Sequence, residues 1–413
     1  MTEQRPSPAM RVLLISYFFP PYNTIGAVRV GKTARYLLEQ GFDVRVLTAV
    51  EQSWKGALPL NLRLEIPEDK VVYAGSPRLS RFVGSLIRRL TGGESGNGHF
   101  AWFPFAFLEA MRLINTWTPD VLFASGLPVT SFWAAFLISK RTKIPWVAEL
   151  RDLWADNPTY APWRRFVEGA VERLVLPSAS GMVTVSEPLA DTLRRKYGKK
   201  VVVVYNGFDD GVMLETQNAD TSGRLKILYT GTLYKKWRDP TPLFLALKEL
   251  GPLAENVQVA FYGPGLEFAV EAAEQAGVRS CVDVYPPVSY EESLRLQAQS
   301  DVLLLLQWAD PREKGIYTGK LFEYIGSRRP ILSVGPTDNE PSELIVSHGF
   351  GVALNRPHEI AAQIKRWLAQ KRQTGIPALP KENTLPFSRA RQLEKVGLFL
   401  QETADSACRP SSR

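Results

Sequence analysis

The residues best suited to chemistry lie in the segment GIYTGKLFEYIGSRRPILSVG, residues 315–335. Its Thr318-Gly319 turn opens a helix, Lys320 follows, and Glu323 falls one turn in. The first amides of a helix can bind phosphate, and a carboxylate can accept hydrogen bonds from paired hydroxyls such as those of a ribose. The segment is therefore a candidate nucleotide site. A surface helix with Lys320 and Glu323 as an i,i+3 pair is the alternative.

A second candidate, SYFFPPYNTIGAVR, joins the first apolar strand to a helix. Gly26 in this turn has no side chain, so a phosphate or an acceptor could approach its backbone closely. The turn does not match G-x-G-x-x-G, and a dinucleotide-binding fingerprint is therefore excluded. A purely structural turn is the alternative interpretation.

Two further motifs follow apolar strands. In YTGTLYKKWRDP, a strand ends at Gly231 and is followed by Lys235, Lys236 and Arg238, cations that could neutralise a diphosphate leaving group. The alternative is a solvated basic loop. In VAELRDLWADNP, a buried strand delivers Arg151 and Asp152 to its carboxyl end, where they either form a surface salt bridge or line a site.

The elements that must position these residues alternate between apolar strands and helical patterns. RVLLISYFF, VRVGKTARYLLEQG and DVRVLTAV form a β-α-β unit, and the alternation restarts at LKILYTGTL. Between the two series lies a segment rich in Gly, Asp, Asn and Ser, which predicts a linker at residues 207–224. We therefore expect an α/β fold with two doubly wound Rossmann-like domains, at residues 10–206 and 225–385, and a last helix at 386–403 that packs back on the body.

Length and composition agree with this division. A chain of 413 residues exceeds what one core usually organises, and 45% hydrophobic with 22% charged residues is an ordinary globular mixture. Two distant cysteines predict no disulfide framework and a reducing, cytoplasmic compartment. The three histidines are scattered and form no cluster with metal-ligand spacing, so a zinc site built by the protein is not expected.

Charge and hydropathy bear on partners. The chain up to Asn206 carries 26 Lys and Arg against 17 Asp and Glu, whereas the remainder carries 24 against 25. The basic first half suggests an anionic partner, and a generally basic solvated surface is the alternative. Residues 121–139 contain no charge, but Ser-Gly and Pro interrupt them, so we interpret them as a strand, a turn and a helix instead of a transmembrane span.

Taken in order, these stretches resemble the retaining glycosyltransferases of the GT-B fold, specifically the large family 4 that builds bacterial polysaccharides and lipid-linked sugars. The resemblance runs from about Met10 to Glu402 and is most specific in KLFEYIGSRRPIL. The segment around Arg151, Asp152 and Trp154 is most similar to enzymes of the O-antigen and exopolysaccharide branch.

The resemblance implies roles for named residues. Glu323 would bind the donor's ribose, backbone amides from Thr318 to Leu321 would bind its phosphates, and the loop from Pro286 to Val288 would cradle the base. Lys236, or Lys235, would sit on the diphosphate. Gly26 would line the donor phosphate pocket from the other domain, and Asp152 and Arg151 would act on the acceptor side as catalytic residues.

This chain departs from the family pattern at two positions. The family pairs the ribose-binding glutamate with another one eight positions earlier, where this chain has Gly315, with Glu313 nearby but out of register. The family's phosphate-binding arginine follows a glycine, and here the sequence reads Gly231-Thr232. Arg238 is a candidate substitute.

The resemblance also implies a reaction and partners. It implies transfer from a nucleotide-diphosphate sugar to a lipid-linked or saccharide acceptor with retention, no catalytic metal or other cofactor, and no nucleic acid as partner. Residues 77–93 would form a basic amphipathic helix on anionic lipid, at the inner face of the cell membrane. Trp102, Phe103, Phe105 and Phe107 would add to this contact, or be packed core edges instead.

Two rival functions are also compatible with the sequence. A nucleotide-sugar hydrolase or epimerase of the same fold needs positioned acids and usually histidines, of which the chain has few. A protein that binds sugar nucleotides without turnover is the other rival. Basic charge alone would suit nucleic acid, but the sequence contains no RNA-binding signature and no basic recognition helix.

Overall fold

The protein is described from a computed structural model, which covers residues 9–50, 62–75, 99, 102–157, 160–212, 221, 223–233, 237–308 and 317–408. Its described residues form two compact units. The first contains the chain up to Val204 together with Leu393 and the residues beyond it, and the second runs from Tyr205 to Gln392. The predicted boundary at residue 206 lies two residues beyond the observed one.

The first unit contains a seven-stranded parallel sheet in the order β3-β2-β1-β4-β5-β6-β7. Its strands are β1 (Arg11–Ser16), β2 (Asp43–Ala49), β3 (Val71–Ala74), β4 (Val121–Gly126), β5 (Trp146–Leu150), β6 (Gly181–Thr184) and β7 (Val201–Val203). The described helices that connect them are α1 (Ile25–Glu39), α2 (Phe103–Ile114), α3 (Thr130–Thr142), α4 (Pro162–Val175) and α5 (Glu187–Tyr197).

The second unit contains a six-stranded parallel sheet in the order β10-β9-β8-β11-β12-β13. Its strands are β8 (Leu225–Thr230), β9 (Val257–Tyr262), β10 (Val282–Tyr285), β11 (Val302–Leu306), β12 (Ile331–Val334) and β13 (Gly351–Leu354). Its helices are α6 (Thr241–Leu250), α7 (Glu267–Ala276), α8 (Tyr290–Gln299), α9 (Gly319–Gly326), α10 (Glu340–Ser347), α11 (Pro357–Thr374) and the short α12 (Lys381–Thr384), before α13 (Arg389–Cys408).

Both sheets have apolar strands because parallel strands are covered by helices on both faces. In the first unit, Val12 and Leu14 of β1 pack in one core with Val30 of α1 and Val396 of α13. The helix α13 begins at Arg389 in the second unit and continues from Leu393 in the first. Most of the predicted 386–403 segment belongs to this helix.

Strand register decides which side chains meet at the carboxyl edge of the first sheet. Ser16 of β1 aligns with Ser125 of β4, and Ser125 aligns with Glu149 of β5. These three residues therefore lie in one row, directly before the loops that carry the predicted site residues.

The charge-free segment 121–139 consists of strand β4, a turn at residues 127–129 and the first ten residues of α3, which confirms the strand, turn and helix interpretation. Within the described ranges, no helix is both long and apolar enough to cross a bilayer. The predicted basic helix at 77–93 lies outside the described residues. Trp102 is buried and its indole N–H donates to the Ala74 carbonyl over 3.0 Å, so this side chain forms a core edge and cannot contact lipid.

Candidate functional site

In the second unit, the candidate site is built on helix α9. Leu321, Phe322, Tyr324 and Ile325 are buried in a core beneath the helix, which leaves Lys320 and Glu323 on its other side, three residues apart. Thr318 precedes the helix in extended conformation, and its side chain makes no capping bond. The amides at the start of α9 are therefore not capped by the residue that normally does so.

The hydroxyl oxygen of Thr318 is buried and has no hydrogen-bond partner among the residues that the structure describes. Buried polar atoms are nearly always paired in folded proteins, so an unpaired one at a helix start is informative. A phosphate oxygen at this position could accept hydrogen bonds from the hydroxyl and from the first amides of α9 together.

Lys320 extends from α9 onto the loop after strand β8. Its ammonium donates to the Tyr229 hydroxyl over 3.0 Å and lies 4.3 Å from the centroid of that ring. A Cβ on Gly231 would lie 2.3 Å from the Cε of Lys320, so the lysine chain occupies the space above this glycine. Gly231 has a φ of +115°, a conformation that residues with side chains rarely adopt.

The environment of Lys320 disfavours its charged form. Burial, and then the Arg238 guanidinium, lower the pKa of Lys320 to about 7, while Glu323 opposes the shift. Arg238 is itself held by a bond from its Nη1 to the Thr232 carbonyl over 3.2 Å. Two cations thus lie near one another at the carboxyl edge of β8, where an anionic ligand would relieve their repulsion.

Glu323 is half-buried and does not point into open water. Burial raises the pKa of its carboxyl above the ordinary value, and Gln297, Lys320 and Arg389 act in the opposite direction. The neighbouring Tyr290, at the start of α8, has its pKa raised to about 12 by burial and by the Glu323 charge.

Hydrogen bonds within the second unit fix the helix that carries Glu323. The Thr230 amide donates to the Tyr324 hydroxyl over 3.2 Å, which ties α9 to the end of β8. The Gln297 side chain, fully buried, donates to the Thr230 hydroxyl and accepts from the Ser327 hydroxyl over 2.9 Å. These hydrogen bonds therefore fix the position of the helix that carries Glu323.

An ion pair between Arg389 and Asp209 lies near the Glu323 carboxylate. Arg389 donates through Nε to Asp209 over 2.6 Å and through Nη1 to the Asn206 carbonyl over 2.8 Å. Both Arg389 and Asp209 influence the pKa of Glu323, so this pair contributes to its electrostatic environment.

The structure brings several of the predicted donor-binding residues together. Thr318, Gly319, Lys320, Leu321 and Glu323 share α9 or its start, and Lys320 lies against Gly231 and near Arg238. Val288, in the predicted base-binding loop, is 37% exposed, before the start of α8. Lys235, Lys236, Glu313 and Gly315 lie outside the described residues.

In the first unit, a buried ion pair stands at the carboxyl edge of the sheet. Glu149 accepts from Arg29 Nε over 2.8 Å and from the Ser125 hydroxyl over 2.6 Å, and both charged side chains are at most 4% exposed. Arg29 also donates to the Val204 carbonyl over 3.0 Å. Burial raises the pKa of Glu149, but Arg29, Arg151 and Ser125 together hold it below the ordinary value, so the carboxylate stays charged.

Arg151 lies beside this pair. Its Nε donates to the Gly126 carbonyl over 2.9 Å and its Nη2 to the Leu127 carbonyl over 3.2 Å. Its Nη1 lies 2.7 Å from the place that a Cβ on Gly26 would take. The space beside Gly26, predicted to admit a phosphate or an acceptor, therefore holds the Arg151 guanidinium.

Asp152 follows directly and is accessible at the surface of the first unit. Partial enclosure by protein raises its pKa, and the charge of Arg151 acts against that rise. The predicted acceptor-side residue Arg151 thus lies next to Gly26 and interacts electrostatically with the Arg29–Glu149 pair, and Asp152 interacts with Arg151.

Sequence reasoning missed Arg29, Glu149, Tyr229 and Gln297. Glu149 left a detectable signal, because a charged residue inside the apolar strand WVAEL must find a partner when it is buried. The identity of that partner, 120 positions away, could not be obtained from spacing.

Comparisons with known proteins show what the chain is similar to. The family model of the glycosyl transferase 4-like domain matches residues 26–207. None of the curated protein sequences compared with the chain matches it.

Solved structures share the whole fold. The sucrose-phosphate synthase of Thermosynechococcus elongatus has a TM-score of 0.63 at 12% identity, with 96% of this chain and 100% of that chain covered. HepE of Anabaena in complex with UDP has a TM-score of 0.60 at 13% identity, covering 95% and 100%. A putative UDP-N-acetylglucosamine 2-epimerase from Listeria monocytogenes has 0.55 at 13%, covering 96% and 97%.

At these identities the structural likeness establishes the fold, and the domain match indicates the activity class. Together they show a GT-B fold whose residues 26–207 match the glycosyl transferase 4-like domain. This confirms the predicted fold class and resemblance.

Proposed function

We propose that the protein transfers a sugar from a nucleotide-diphosphate sugar to a lipid-linked or saccharide acceptor, with retention of configuration, in the synthesis of a bacterial polysaccharide or glycoconjugate. The observation that carries the proposal is the arrangement on α9, where Lys320 and Glu323 share one side of a helix with an uncapped start. The complex of HepE with UDP, a protein of the same fold, supports a nucleotide as the ligand.

The donor would bind to the second unit in three contacts. Its ribose hydroxyls donate to the Glu323 carboxylate, and its diphosphate accepts from the Thr318 hydroxyl, the first amides of α9 and the Lys320 ammonium. Lys235, Lys236 and Arg238 provide further positive charge for the departing diphosphate. The base would lie on the loop from Pro286 to Val288.

In the reaction, the bond between the sugar's anomeric carbon and the diphosphate oxygen breaks, the acceptor oxygen bonds to that carbon, and the proton of the acceptor hydroxyl passes to the departing diphosphate. Negative charge grows on the diphosphate as it leaves, so cations already in place lower the barrier. Asp152 and Arg151 orient the acceptor hydroxyl, because holding two reactants in register removes much of the entropic cost of their meeting.

The test of this proposal is the variant Glu323→Ala. A hydrogen bond to a charged group contributes about 1.5–3 kcal/mol, so UDP or GDP affinity should fall about 10- to 150-fold in calorimetric titration. Glu274→Ala, on the exposed side of α7, is the matched control and should bind as the parent does. Unchanged nucleotide affinity in Glu323→Ala would remove the basis of the proposal.

The rival reactions separate by product release. Nucleotide release that requires an added lipid-linked or saccharide acceptor supports transfer. Release without acceptor supports the nucleotide-sugar hydrolase or epimerase, for which the fold shared with the Listeria protein is the favouring observation. Binding without release supports a non-catalytic sugar-nucleotide binding protein.

Residence at the inner face of the cell membrane, with an anionic lipid surface as partner, is part of the proposal. The basic first half of the chain supports it. Fractionation of the cells that produce the protein tests it, since a peripheral protein leaves the membrane fraction at high salt.

A further inference from the structure

Helix α4 of the first unit carries an apolar face on its outer side. Trp163, Phe166, Val167 and Leu174 are 52%, 75%, 52% and 59% exposed. At 3.6 residues per turn these four positions fall within an arc of roughly 100°. Single exposed apolar residues are ordinary, but four large ones aligned on a helix of 14 residues form a continuous strip.

The inner side of the same helix carries its carboxylates. Glu168 and Glu172 are 7% and 2% exposed. Glu168 accepts from the Trp154 indole over 2.6 Å, and Glu172 accepts from the Ala155 amide over 2.8 Å and from Lys196 over 2.9 Å. This orientation reverses that of a typical surface helix, which buries its apolar stripe and exposes its charges.

The charge left on the outer surface of α4 is positive. Arg173, which flanks the strip beside Leu174, is exposed, whereas both carboxylates of the helix are buried. The adjacent helix α3 ends at Thr142, close to Lys140, Arg141 and Lys143, which are also exposed. Aromatic and aliphatic side chains flanked by arginine are the composition of a helix that lies in the interface of an anionic bilayer.

We propose that the outer face of α4 docks on an anionic lipid surface. A second copy of the chain is the other occupant to consider. A helix about 21 Å long and about 10 Å wide presents roughly 200 Å², well below the roughly 800 Å² per partner that a stable dimer buries. Lipid needs no such area, because side chains enter the headgroup region individually, and Arg173 together with the basic end of α3 attracts anionic headgroups.

Docking of α4 on lipid would also determine where the acceptor-side residues lie relative to the lipid surface. The bonds of Glu168 to Trp154 and of Glu172 to Ala155 tie α4 to the segment that begins with Arg151 and Asp152. A lipid-linked acceptor would then reach these residues from the surface on which α4 rests. This consequence and the anionic lipid partner both rest on the proposed function, whose donor site the UDP measurement below tests separately.

The experiment is flotation of the full chain with vesicles of phosphatidylcholine and phosphatidylglycerol at 3:1. The variant F166E/L174E places two charges on the strip, and its vesicle-bound fraction should fall about tenfold or more. The control L398E changes a leucine of α13 in the same unit that is 60% exposed, and it should bind as the parent does. Equal binding by parent and F166E/L174E would overturn the proposal, as would no binding of the parent.

Three further measurements separate the alternatives. Pure phosphatidylcholine vesicles should retain less of the parent, and R173Q should reduce binding to the anionic vesicles. Sedimentation of the parent should give a monomer. If the parent instead forms a dimer that the F166E/L174E substitutions dissociate, and the parent does not float with vesicles, the face binds a second copy and the proposal is overturned. UDP affinity of F166E/L174E should equal that of the parent, so loss of lipid binding is distinguishable from failure of the donor site.

Discussion

The ammonium of Lys320 lies 3.0 Å from the hydroxyl oxygen of Tyr229, over the tyrosine ring and against the backbone of Gly231. The two residues are 91 positions apart, on α9 and on β8. The contact holds a partly desolvated cation at the start of the helix that carries Glu323. Burial and the nearby Arg238 lower the pKa of this lysine to about 7, so charge at the candidate donor site depends on pH near neutrality.

Donor affinity should depend on pH through Lys320. With a pKa of about 7, the lysine is mostly charged below pH 7 and mostly neutral above it, so affinity for a nucleotide sugar should weaken as pH rises from 6 to 8. Lys320→Met should bind about 10-fold or more weakly at pH 6 and show a flatter profile. Lys320→Arg should keep affinity at pH 8; a parental profile that is flat over this range would contradict the assignment.

The same lysine should affect stability in the opposite sense. Its pKa is about 7 in the folded protein and near 10.5 when unfolded, so unfolding takes up a proton between these values. Stability therefore rises with pH from about 7 to about 10.5 for this group. Calorimetry should show the Tm of the parent increasing over that window relative to Lys320→Met, which lacks the group.

The buried pair of Arg29 and Glu149 should be important for stability of the first unit. Removing one partner of a buried ion pair leaves an uncompensated charge and costs about 3–5 kcal/mol. Glu149→Gln should therefore lower the unfolding temperature of this unit clearly in calorimetry. The double variant R29M/E149M should lose less than either single change; additive losses would show that the two residues do not act as a pair.

Asp152 should act on turnover and not on donor binding. In Asp152→Asn, kcat with a competent acceptor should fall about 10- to 100-fold, which is the loss of part of an orienting contribution. UDP affinity should be unchanged, since Asp152 lies in the first unit. Asp156→Asn is the matched control, because this exposed carboxylate of the same segment bonds to Lys196 over 2.8 Å. Equal losses in both variants would indicate a general disturbance of the segment.

Gly26 and Arg151 should behave as one unit. A Cβ at Gly26 would meet the Arg151 guanidinium at 2.7 Å, so Gly26→Ala should displace that side chain. Turnover should fall in G26A and in R151A, and the double variant should lose no more than R151A. Independent, multiplying losses would show that Gly26 contacts a ligand directly, as the sequence first suggested.

Transfer should not need a divalent metal. The chain contains no D-x-D sequence, and no group of three or more His, Cys, Asp or Glu suited to a metal occurs in the described ranges. The rate with saturating donor and acceptor should therefore be the same with and without EDTA. Activity that EDTA abolishes and Mg²⁺ or Mn²⁺ restores would refute this prediction.

The sequence by itself determined the architecture and one candidate site. Strand-to-helix alternation is a local pattern, and two such series separated by a Gly- and Asp-rich stretch predicted the two parallel sheets. Glu323 and Thr318 could also be predicted as site residues from the sequence, because both lie on or at the start of one short helix whose apolar spacing determines which residues stay outside the core.

The tertiary structure alone decided which distant groups meet. Right-handed crossovers bring β1, β4 and β5 side by side, and only then does Arg29 reach Glu149 and Arg151 fill the space beside Gly26. The orientation of α4 shows most clearly that tertiary contacts decide which side of a helix is buried. Its sequence pattern would favour burying Phe166 and Leu174, but Trp154, Ala155 and Lys196 supply partners for Glu168 and Glu172, and these contacts turn the apolar face outward. Local periodicity specifies that a helix is two-sided, whereas its neighbours in space decide which side is buried.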